Sequence, residues 1–461
     1  MKWNHLASGL LGAVILVHGA AASAQEQVWL QDRRYLEGSG YRAGDFEVHP
    51  GLAGEFGYDS NMFLRGKNED PASAYRLRLT PSLSFATVGT QGRAKQEASS
   101  PSMTFRAGVA GVYNEYIATR SPDPEKLSKF RNVGALANLE LEILPNRPWG
   151  GRVHGNLVRT VQPSNLSDTS AAFNRINAGG GGELIWAPGG GLFDWRLGYR
   201  YSTTMFEEAR FESLNSGTHW METRGRWRFL PRTAFVFDAS QGFLRYSSLG
   251  ASANLLNANP IRARLGFSGL ITDRFALLGM VGWGATFLNP GKVPQQNYDG
   301  VIGQAQITFY PTAAPGLSDT PREASLTLSQ VGVGYTRDFG ESYLGGFYTR
   351  DRGYISASYF FAGRVLTSLQ AGISRVGYPI LYFASESAEK AQKRSNSFFE
   401  TRYDFGFIVE YRLAESLGVN LSLNYDQNAS RELATSAANP KESEDLSWRR
   451  FQSFLGARWF M

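Results

Sequence analysis

Residues 399–413 read FETRYDFGFIVEYRL, and their apolar and polar side chains alternate almost without a break. Successive side chains of a β-strand point to opposite faces, so this alternation predicts a strand with one apolar and one charged face. The apolar face holds Phe399, Tyr403, Phe405, Phe407, Val409, Tyr411 and Leu413. The other face holds Glu400, Arg402, Asp404, Gly406, Glu410 and Arg412, with Ile408 as an exception.

Similar alternating segments, each followed by a turn, recur about 18 times between Phe46 and Met461. In a soluble β-sandwich, the apolar faces of such strands would form the core. In a bacterial outer membrane they would face lipid, and the charged faces would line a wet lumen. The choice between these two arrangements needs information from outside the strands.

The N-terminus favours the membrane arrangement. Lys2 and His5 precede an apolar run, Leu10–Val17, which is followed by the small-residue motif Ala22-Ser23-Ala24. This pattern predicts a secretory signal peptide cleaved after about Ala24. Its apolar run is too short to cross a bilayer as a helix. We therefore expect a signal peptide at 1–24, a periplasmic segment at 25–45 and an outer-membrane barrel at 46–461.

The connections between segments alternate in length. Short turns include 145–148, 187–190, 230–232, 272–274, 362–364 and 414–416. Longer polar stretches fall near 59–74, 118–129, 163–171, 207–216, 247–258, 289–297, 381–396 and 428–446. Outer-membrane barrels have short periplasmic turns and longer extracellular loops. Connections 87–101 and 311–322 are longer than the other periplasmic turns, and we expect them to be either mobile or in contact with a periplasmic partner.

One region needs a decision on strand number. Both chain ends should be periplasmic, which requires an even number of strands. We therefore assign Ser325–Arg337 and Tyr354–Phe361 as a strand pair, joined by an extracellular segment around Phe339–Arg352. The predicted fold is all-β: a transmembrane, antiparallel, up-and-down β-barrel of about 18 strands, wide enough for an aqueous channel.

Composition excludes several other kinds of protein. The chain has no cysteine, so disulfides, thiolate metal sites and a lipid-modified cysteine are ruled out. A formal net charge of +6 is too small to imply nucleic-acid binding. No pattern in the sequence points to a cofactor, and we expect none.

An enzyme is not expected, because barrel hydrolases need a histidine near a nucleophile or carboxylate. After the signal peptide only His49, His154 and His219 remain, and no nucleophile motif accompanies them. A transporter with an N-terminal plug would need a longer segment before the first strand and about 22 strands.

The charged faces supply the candidate pore-lining residues. One neighbouring pair of strands places five arginines beside Asp194 and Glu222. Such a patch either selects anionic or sugar-like solutes or pairs with carboxylates and stiffens the wall. The full set of candidates is Arg76, Arg78, Glu140, Glu142, Arg196, Arg200, Glu222, Arg224, Arg226, Arg228, Glu400, Arg402, Asp404, Glu410 and Arg412.

Three segments resemble a known family. They are Pro50–Leu52 leading to Gly57-Tyr58-Asp59-Ser60-Asn61-Met62-Phe63, then Tyr75–Leu83, and Gly334–Phe339 leading to Tyr354–Phe361. Together they resemble the β-barrel porin 2 family of outer-membrane proteins. Some members of that family resemble pores for exopolysaccharide export, which receive a polymer from a periplasmic export protein. The resemblance therefore implies a polysaccharide conduit with such a protein as partner.

Two alternatives to polysaccharide export stay open. One is a general diffusion porin for small hydrophilic or anionic solutes. The other is a surface adhesin or structural barrel that acts through loops such as Ser385–Asn396. All three place the chain in outer-membrane lipid and require the barrel-assembly machinery for insertion.

Overall fold

The computed structural model describes residues 40–66, 71–87, 102–120, 131–145, 147–163, 172–189, 192–247, 255–290, 293–294, 296–311, 329–342, 346–383, 392–430, 433–435 and 443–461. The expected signal peptide and residues 25–39 lie outside this set. So do most of the connections 87–101 and 311–322 and most of the loop Ser385–Asn396. Among the described residues, no helix is both long and apolar enough to cross a membrane.

Eighteen antiparallel strands form one closed sheet, which confirms the predicted fold and strand number. They are β1 Phe46–Asp59, β2 Ser73–Thr87, β3 Met103–Arg120, β4 Asn132–Ile143, β5 Trp149–Pro163, β6 Ala172–Trp186, β7 Phe193–Phe206, β8 Ser216–Leu230, β9 Thr233–Tyr246, β10 Ala258–Leu270, β11 Phe275–Leu288, β12 Tyr298–Phe309, β13 Gln330–Glu341, β14 Phe347–Phe361, β15 Val365–Tyr378, β16 Phe398–Ala414, β17 Leu417–Ala429 and β18 Trp448–Phe460.

The barrel closes where β1 pairs with β18. Gly51 lies opposite Phe460 at one end of this seam, and Asp59 lies opposite Gln452 at the other. Gly57 leaves room for the ring of Phe454, because a Cβ at this position would overlap that ring. With every strand paired on both sides, the sheet has no free edge, as a membrane-spanning sheet requires.

Short turns and long loops alternate as predicted. The turn between β14 and β15 takes three residues, in which Ala362 and Gly363 adopt positive φ angles of 48° and 70°. Both ends of the barrel sheet lie on the side of these short turns, so this is the periplasmic side. A short strand, Tyr41–Ala43, pairs there with the start of β1.

The predicted extracellular segment around Phe339–Arg352 is wrong in its extent, although the strand pair itself is correct. Strand β13 continues to Glu341 and β14 begins at Phe347, which leaves only residues 342–346 between them. Charged residues lie opposite one another in the hairpin: Arg337 opposite Asp351, and Asp338 opposite Arg350.

The outer face of the barrel is apolar, as membrane insertion requires. Exposed side chains on it include Leu455, Phe399 and Val301. At the periplasmic end the indole of Trp186 packs against those of Trp149 and Trp195, with ring centroids 5.8 and 6.5 Å apart. Such aromatic clusters lie at the membrane interface in outer-membrane barrels. Ile408, the exception in the alternating segment, is buried on the inner face.

Candidate functional site

All fifteen candidate pore-lining residues lie on the inner face of the barrel. Strand alternation places them opposite the exposed apolar side chains of the same strands. Several of their ion pairs also join strands that are not neighbours, as between Arg224 on β8 and Glu183 on β6. Such pairs cross an intervening strand, and the concave side of the wall brings them together.

The inner face divides into two sectors of different character. We call the first the open sector; it consists of the inward side chains of β5–β8. There the Arg200 and Glu222 side chains are 33% and 36% exposed, and that of Arg224 is 32% exposed. Arginines recur on β8 at positions 224, 226 and 228, which are spaced about 7 Å apart because alternate residues share a face.

Positive charge dominates the open sector. Its carboxylates among the described residues are Glu183, Asp194 and Glu222. Its arginines are Arg152, Arg175, Arg196, Arg200, Arg224, Arg226 and Arg228. The open sector thus carries more cations than its own carboxylates can neutralise. The sequence predicted this excess of arginines for β7 and β8.

Glu183 is a central residue of this sector that the sequence analysis missed. Its carboxylate accepts hydrogen bonds of 2.7 and 2.9 Å from Nη2 of Arg224, and Nη1 of Arg196 lies 3.9 Å away. Glu183 follows Gly179–Gly182 in the sequence, where four glycines in a row remove the alternation that reveals which side chains face inward. The pairing of β6 with β5 and β7 identifies its face.

Arg226 and Arg228 form the periplasmic end of the arginine row. Among the described residues, neither side chain has a carboxylate within ion-pair distance. Arg196 takes the nearest acid, because its Nε donates a 3.1 Å hydrogen bond to Oδ1 of Asp194. The pairing that neutralises Arg200 and Arg224 therefore does not extend to the two arginines at the periplasmic end.

The second sector, which we call the closed sector, consists of the inward side chains of β16, β17, β18, β1 and β2. Many of its charges are buried and paired, although Arg402, Asp404 and Arg412 of β16 are 28–29% exposed. Arg458 donates hydrogen bonds of 2.7 and 2.6 Å to the two carboxylate oxygens of Glu410. Arg78 lies 2.9 Å from Glu55, which also accepts a 3.1 Å hydrogen bond from Asn420. The arginines Arg78 and Arg458 stack on Phe454 and Phe460 respectively.

The β1–β18 seam carries the most deeply buried pair of the closed sector. Nε of Arg450 donates to Oδ1 of Asp59 at 3.0 Å, and its Nη2 donates to Oδ2. Gln452 adds a 2.8 Å hydrogen bond to the same Oδ2 atom. The Asp59 side chain is 0% exposed and that of Arg450 is 3% exposed. Glu410 and the candidates Arg76, Arg78 and Glu400 are buried as well, so they contribute to the wall more than to a water-filled path.

The remaining candidates lie on β4, next to the open sector, and on β16, at the edge of the closed sector. Glu140 pairs with Arg152 of β5 at 2.9 Å, and Glu142 accepts a 3.1 Å hydrogen bond from Thr104. On the far side, Arg352 donates to Asp404 at 2.5 Å, and Arg402 donates to Glu400 at 3.1 Å. Arg412 lies 3.7 Å from Glu410.

Arg262 on β10 contacts β13, which is not a neighbouring strand, on the inner face of the barrel. Its Nε donates a 3.0 Å hydrogen bond to Asp338 on β13, and its Nη2 donates a 2.6 Å bond to the Phe339 carbonyl. The guanidinium also lies over the Phe339 ring, 4.1 Å from the centroid. Since two strands separate β10 from β13, this contact spans the concave inner surface.

The extracellular end of the barrel holds a buried apolar cluster, which we call the mouth cluster. It combines inward residues at the ends of β7, β9, β10 and β11 with residues of the loops between them. Its members are Phe206, Phe211, Leu214, Leu244, Tyr246, Leu255, Leu256, Ala258, Leu288 and Val293, with Tyr382 packed against it. The described residues of the loops after β7, β9 and β11 therefore pack against the inner face at the extracellular end of β7–β11.

Hydrogen bonds hold these loops in place. Asn215 accepts a 2.7 Å hydrogen bond from the Phe206 backbone N–H, which closes the loop around the short helix Ala209–Leu214. At the outer rim, Arg159 donates to both oxygens of Glu207 at 2.6 and 2.8 Å. These hydrogen bonds from Arg159 lower the pKa of the Glu207 carboxyl.

The segment that follows β15, four strands from β11, also reaches the mouth cluster. The side chain of Gln296, between β11 and β12, makes two hydrogen bonds with the backbone of Ile380, after β15. Its Nε2 donates to the Ile380 carbonyl at 2.5 Å, and its Oε1 accepts from the Ile380 N–H at 3.2 Å. Together with Tyr382, this contact joins the described residues after β15 to the extracellular end of β11.

The three histidines do not assemble a catalytic site with one another. His49 is buried on the inner face, where its Nδ1 lies 3.1 Å from the Met461 carbonyl oxygen. His219 is on the outer face, with its Nδ1 2.6 Å from the Tyr199 hydroxyl. His154 faces inward on β5, opposite Gly181 of β6.

No protein-family model matches the chain, and no curated protein matches it. The similarity to the β-barrel porin 2 family thus rests only on the short segments quoted above. Solved structures with a similar shape include OpdQ of Pseudomonas aeruginosa, at 10% identity and TM-score 0.40 over 91% of this chain and 99% of that one.

Two further solved structures, both from Pseudomonas aeruginosa, have a similar shape. One is OccK11 (OpdR), at 11% identity and TM-score 0.41 over 90% of this chain and 96% of that one. The other is the siderophore receptor PirA, at 9% identity and TM-score 0.42 over 91% and 81%. Likeness at this level assigns no solute and no residue role.

Proposed function

We propose that this barrel is a diffusion channel for small hydrophilic solutes, with a preference for anions, and that these solutes pass along the open sector. The observation that carries the proposal is the row of arginines on β8, in which Arg226 and Arg228 make no ion pair with a described carboxylate, although Asp194 lies opposite Arg226 in the register. Charged side chains that line a pore set its ion selectivity. In a confined lumen they also raise the local concentration of the opposite charge.

The mouth cluster favours this function over polysaccharide export. Described residues of three loops, together with Tyr382, pack against the inner face at the extracellular end of β7–β11, where they narrow the exit that a polymer would use. A small solute needs only the remaining opening. The export hypothesis is supported by the family resemblance alone, and no contact among the described residues singles it out.

Ion selectivity tests the proposed channel. The variant Arg226→Gln with Arg228→Gln removes both unpaired cations, so we expect the anion preference of the wild type to fall markedly. The measurement is the reversal potential of the purified barrel in a planar bilayer under a potassium chloride gradient. Arg131→Gln is the matched control, because Arg131 is exposed near the outer rim and pairs with Glu115. A wild-type barrel without anion preference, or a double variant that retains it, would contradict the proposal.

A deletion strain separates diffusion from export. We expect slower uptake of small anionic solutes and unchanged secreted and surface polysaccharide. Polymer that accumulates in the periplasm of the deletion strain, and is released when the wild-type protein is restored, would instead favour the export hypothesis.

A further inference from the structure

Two exposed arginines lie side by side on the outer face, near its extracellular end. In the strand register, Arg337 of β13 lies opposite Asp351 of β14, and Asp351 lies opposite Arg375 of β15. The three residues form one lateral row, and the two arginines are two strands apart, or about 10 Å. Arg337 is four residues before the extracellular end of β13, and Arg375 is three before that of β15.

These side chains point away from the lumen. They share a strand face with Val333 on β13 and Ile373 on β15, which are 57% and 51% exposed. Arg375 also lies over the ring of the outward-facing Phe399, with its guanidinium carbon 3.9 Å from the centroid. Most of the outer face contacts lipid tails, where a charged side chain is costly, so arginines here need a polar partner at the membrane surface.

The one carboxylate in the row does not neutralise both cations. Oδ1 of Asp351 accepts a 3.1 Å hydrogen bond from Arg337 and a 2.5 Å hydrogen bond from the Tyr335 hydroxyl. Arg375 has no ion pair with a described residue, although it lies next to Asp351 in the register. The row therefore carries a net positive charge, and Arg337 itself is 48% exposed.

Exposed apolar side chains, which we call the apolar strip, continue from the row towards the membrane centre. On the same outer face follow Val333, Ile355, Ile373 and Phe405, all of them exposed. A ligand that fits both parts has an anionic headgroup and apolar chains attached to it. Arginine recognises phosphate well, because its planar fork donates paired hydrogen bonds.

We propose that Tyr335, Arg337, Arg375 and Phe399, which we call the outer arginine site, bind a phosphorylated glycolipid of the outer leaflet. The guanidinium groups of Arg337 and Arg375 contact its phosphate, and the acyl chains lie along the apolar strip. This site is separate from the lumen and does not depend on the proposed channel function.

Lipid binding to the purified barrel tests this proposal. The probes are diphosphorylated lipid A, the same lipid without its phosphates, and inorganic phosphate, and the readout is native mass spectrometry of the barrel in detergent. We expect the wild type to retain the diphosphorylated lipid. The variant Arg337→Gln with Arg375→Gln should bind it at least about tenfold more weakly, since two charge-assisted contacts are lost.

The control is Arg364→Gln, which changes an exposed arginine of the periplasmic turn between β14 and β15. It should bind lipid like the wild type. Unchanged single-channel conductance of the double variant establishes that it is folded. Equal retention of both lipids, equal retention by the double variant, or full competition by millimolar inorganic phosphate would each overturn the glycolipid site.

Discussion

Replacing Arg450 by methionine should lower the free energy of unfolding by about 3–5 kcal/mol, because it leaves a buried carboxylate without its cation. Asp59 is fully buried, and Arg450 contacts both of its carboxylate oxygens. The remaining hydrogen bonds, from Gln452 and from the Asn61 backbone N–H, do not neutralise the charge. Since the pair joins β1 to β18, the variant destabilises the seam that closes the barrel. Denaturant titration of the barrel in lipid vesicles measures this effect.

The matched control is Arg200→Met in the open sector. Arg200 also makes two hydrogen bonds to a carboxylate, but it and Glu222 are each about one-third exposed to solvent. Water can solvate the remaining carboxylate, so we expect a cost below about 1 kcal/mol. The double variant Arg450→Met with Asp59→Leu should recover much of the lost stability, because the unpaired charge is gone. Equal costs for Arg450→Met and Arg200→Met would contradict the division into two sectors.

The variant Leu255→Asp should open the extracellular mouth. Leu255 is 4% exposed within the mouth cluster, and a carboxylate there loses its hydration without gaining a partner in the cluster. If burying the unpaired carboxylate costs about 3 kcal/mol, the ratio of packed to open loops falls about 100-fold. We therefore expect a higher single-channel conductance in planar bilayers, with the stability of the barrel strands little changed.

Leu192→Asp is the control for this second prediction. It makes the same chemical change at an exposed residue beside the periplasmic turn between β6 and β7. Its conductance should equal that of the wild type. If Leu255→Asp also conducts like the wild type, then the packed loops do not limit the flow of ions.

The sequence predicted the barrel because its physical requirements are local. Alternation in a segment such as Phe399–Leu413 reflects lipid on one side of each strand, so it is readable without any tertiary information. Orientation followed from the lengths of the connections. The extent of the β13–β14 hairpin was not predicted, because the pairing of Arg350 and Asp351 with residues of β13 is not visible in the sequence.

The two inner sectors were beyond sequence analysis for a different reason. Alternation gives the face of a side chain, and it does not give its partner on another strand. Arg78 and Arg224 look alike in the sequence, yet the first is buried against Glu55 and the second is one-third exposed. The inward folding of the loops likewise depends on contacts such as Gln296 with Ile380, which are 84 residues apart.

The central claim is that solutes pass along the open sector and not along the closed one. Because the chain has no cysteine, a single introduced thiol reports its own surroundings. Ser202 on β7 and Ser422 on β17 both face inward, in the open and the closed sector respectively, and Ser422 is buried. The measurement is the planar-bilayer current of Ser202→Cys and Ser422→Cys barrels before and after adding a charged, membrane-impermeant thiol reagent. We predict a rapid fall in current for Ser202→Cys and none for Ser422→Cys; a fall for Ser422→Cys, or no fall for Ser202→Cys, would contradict the account.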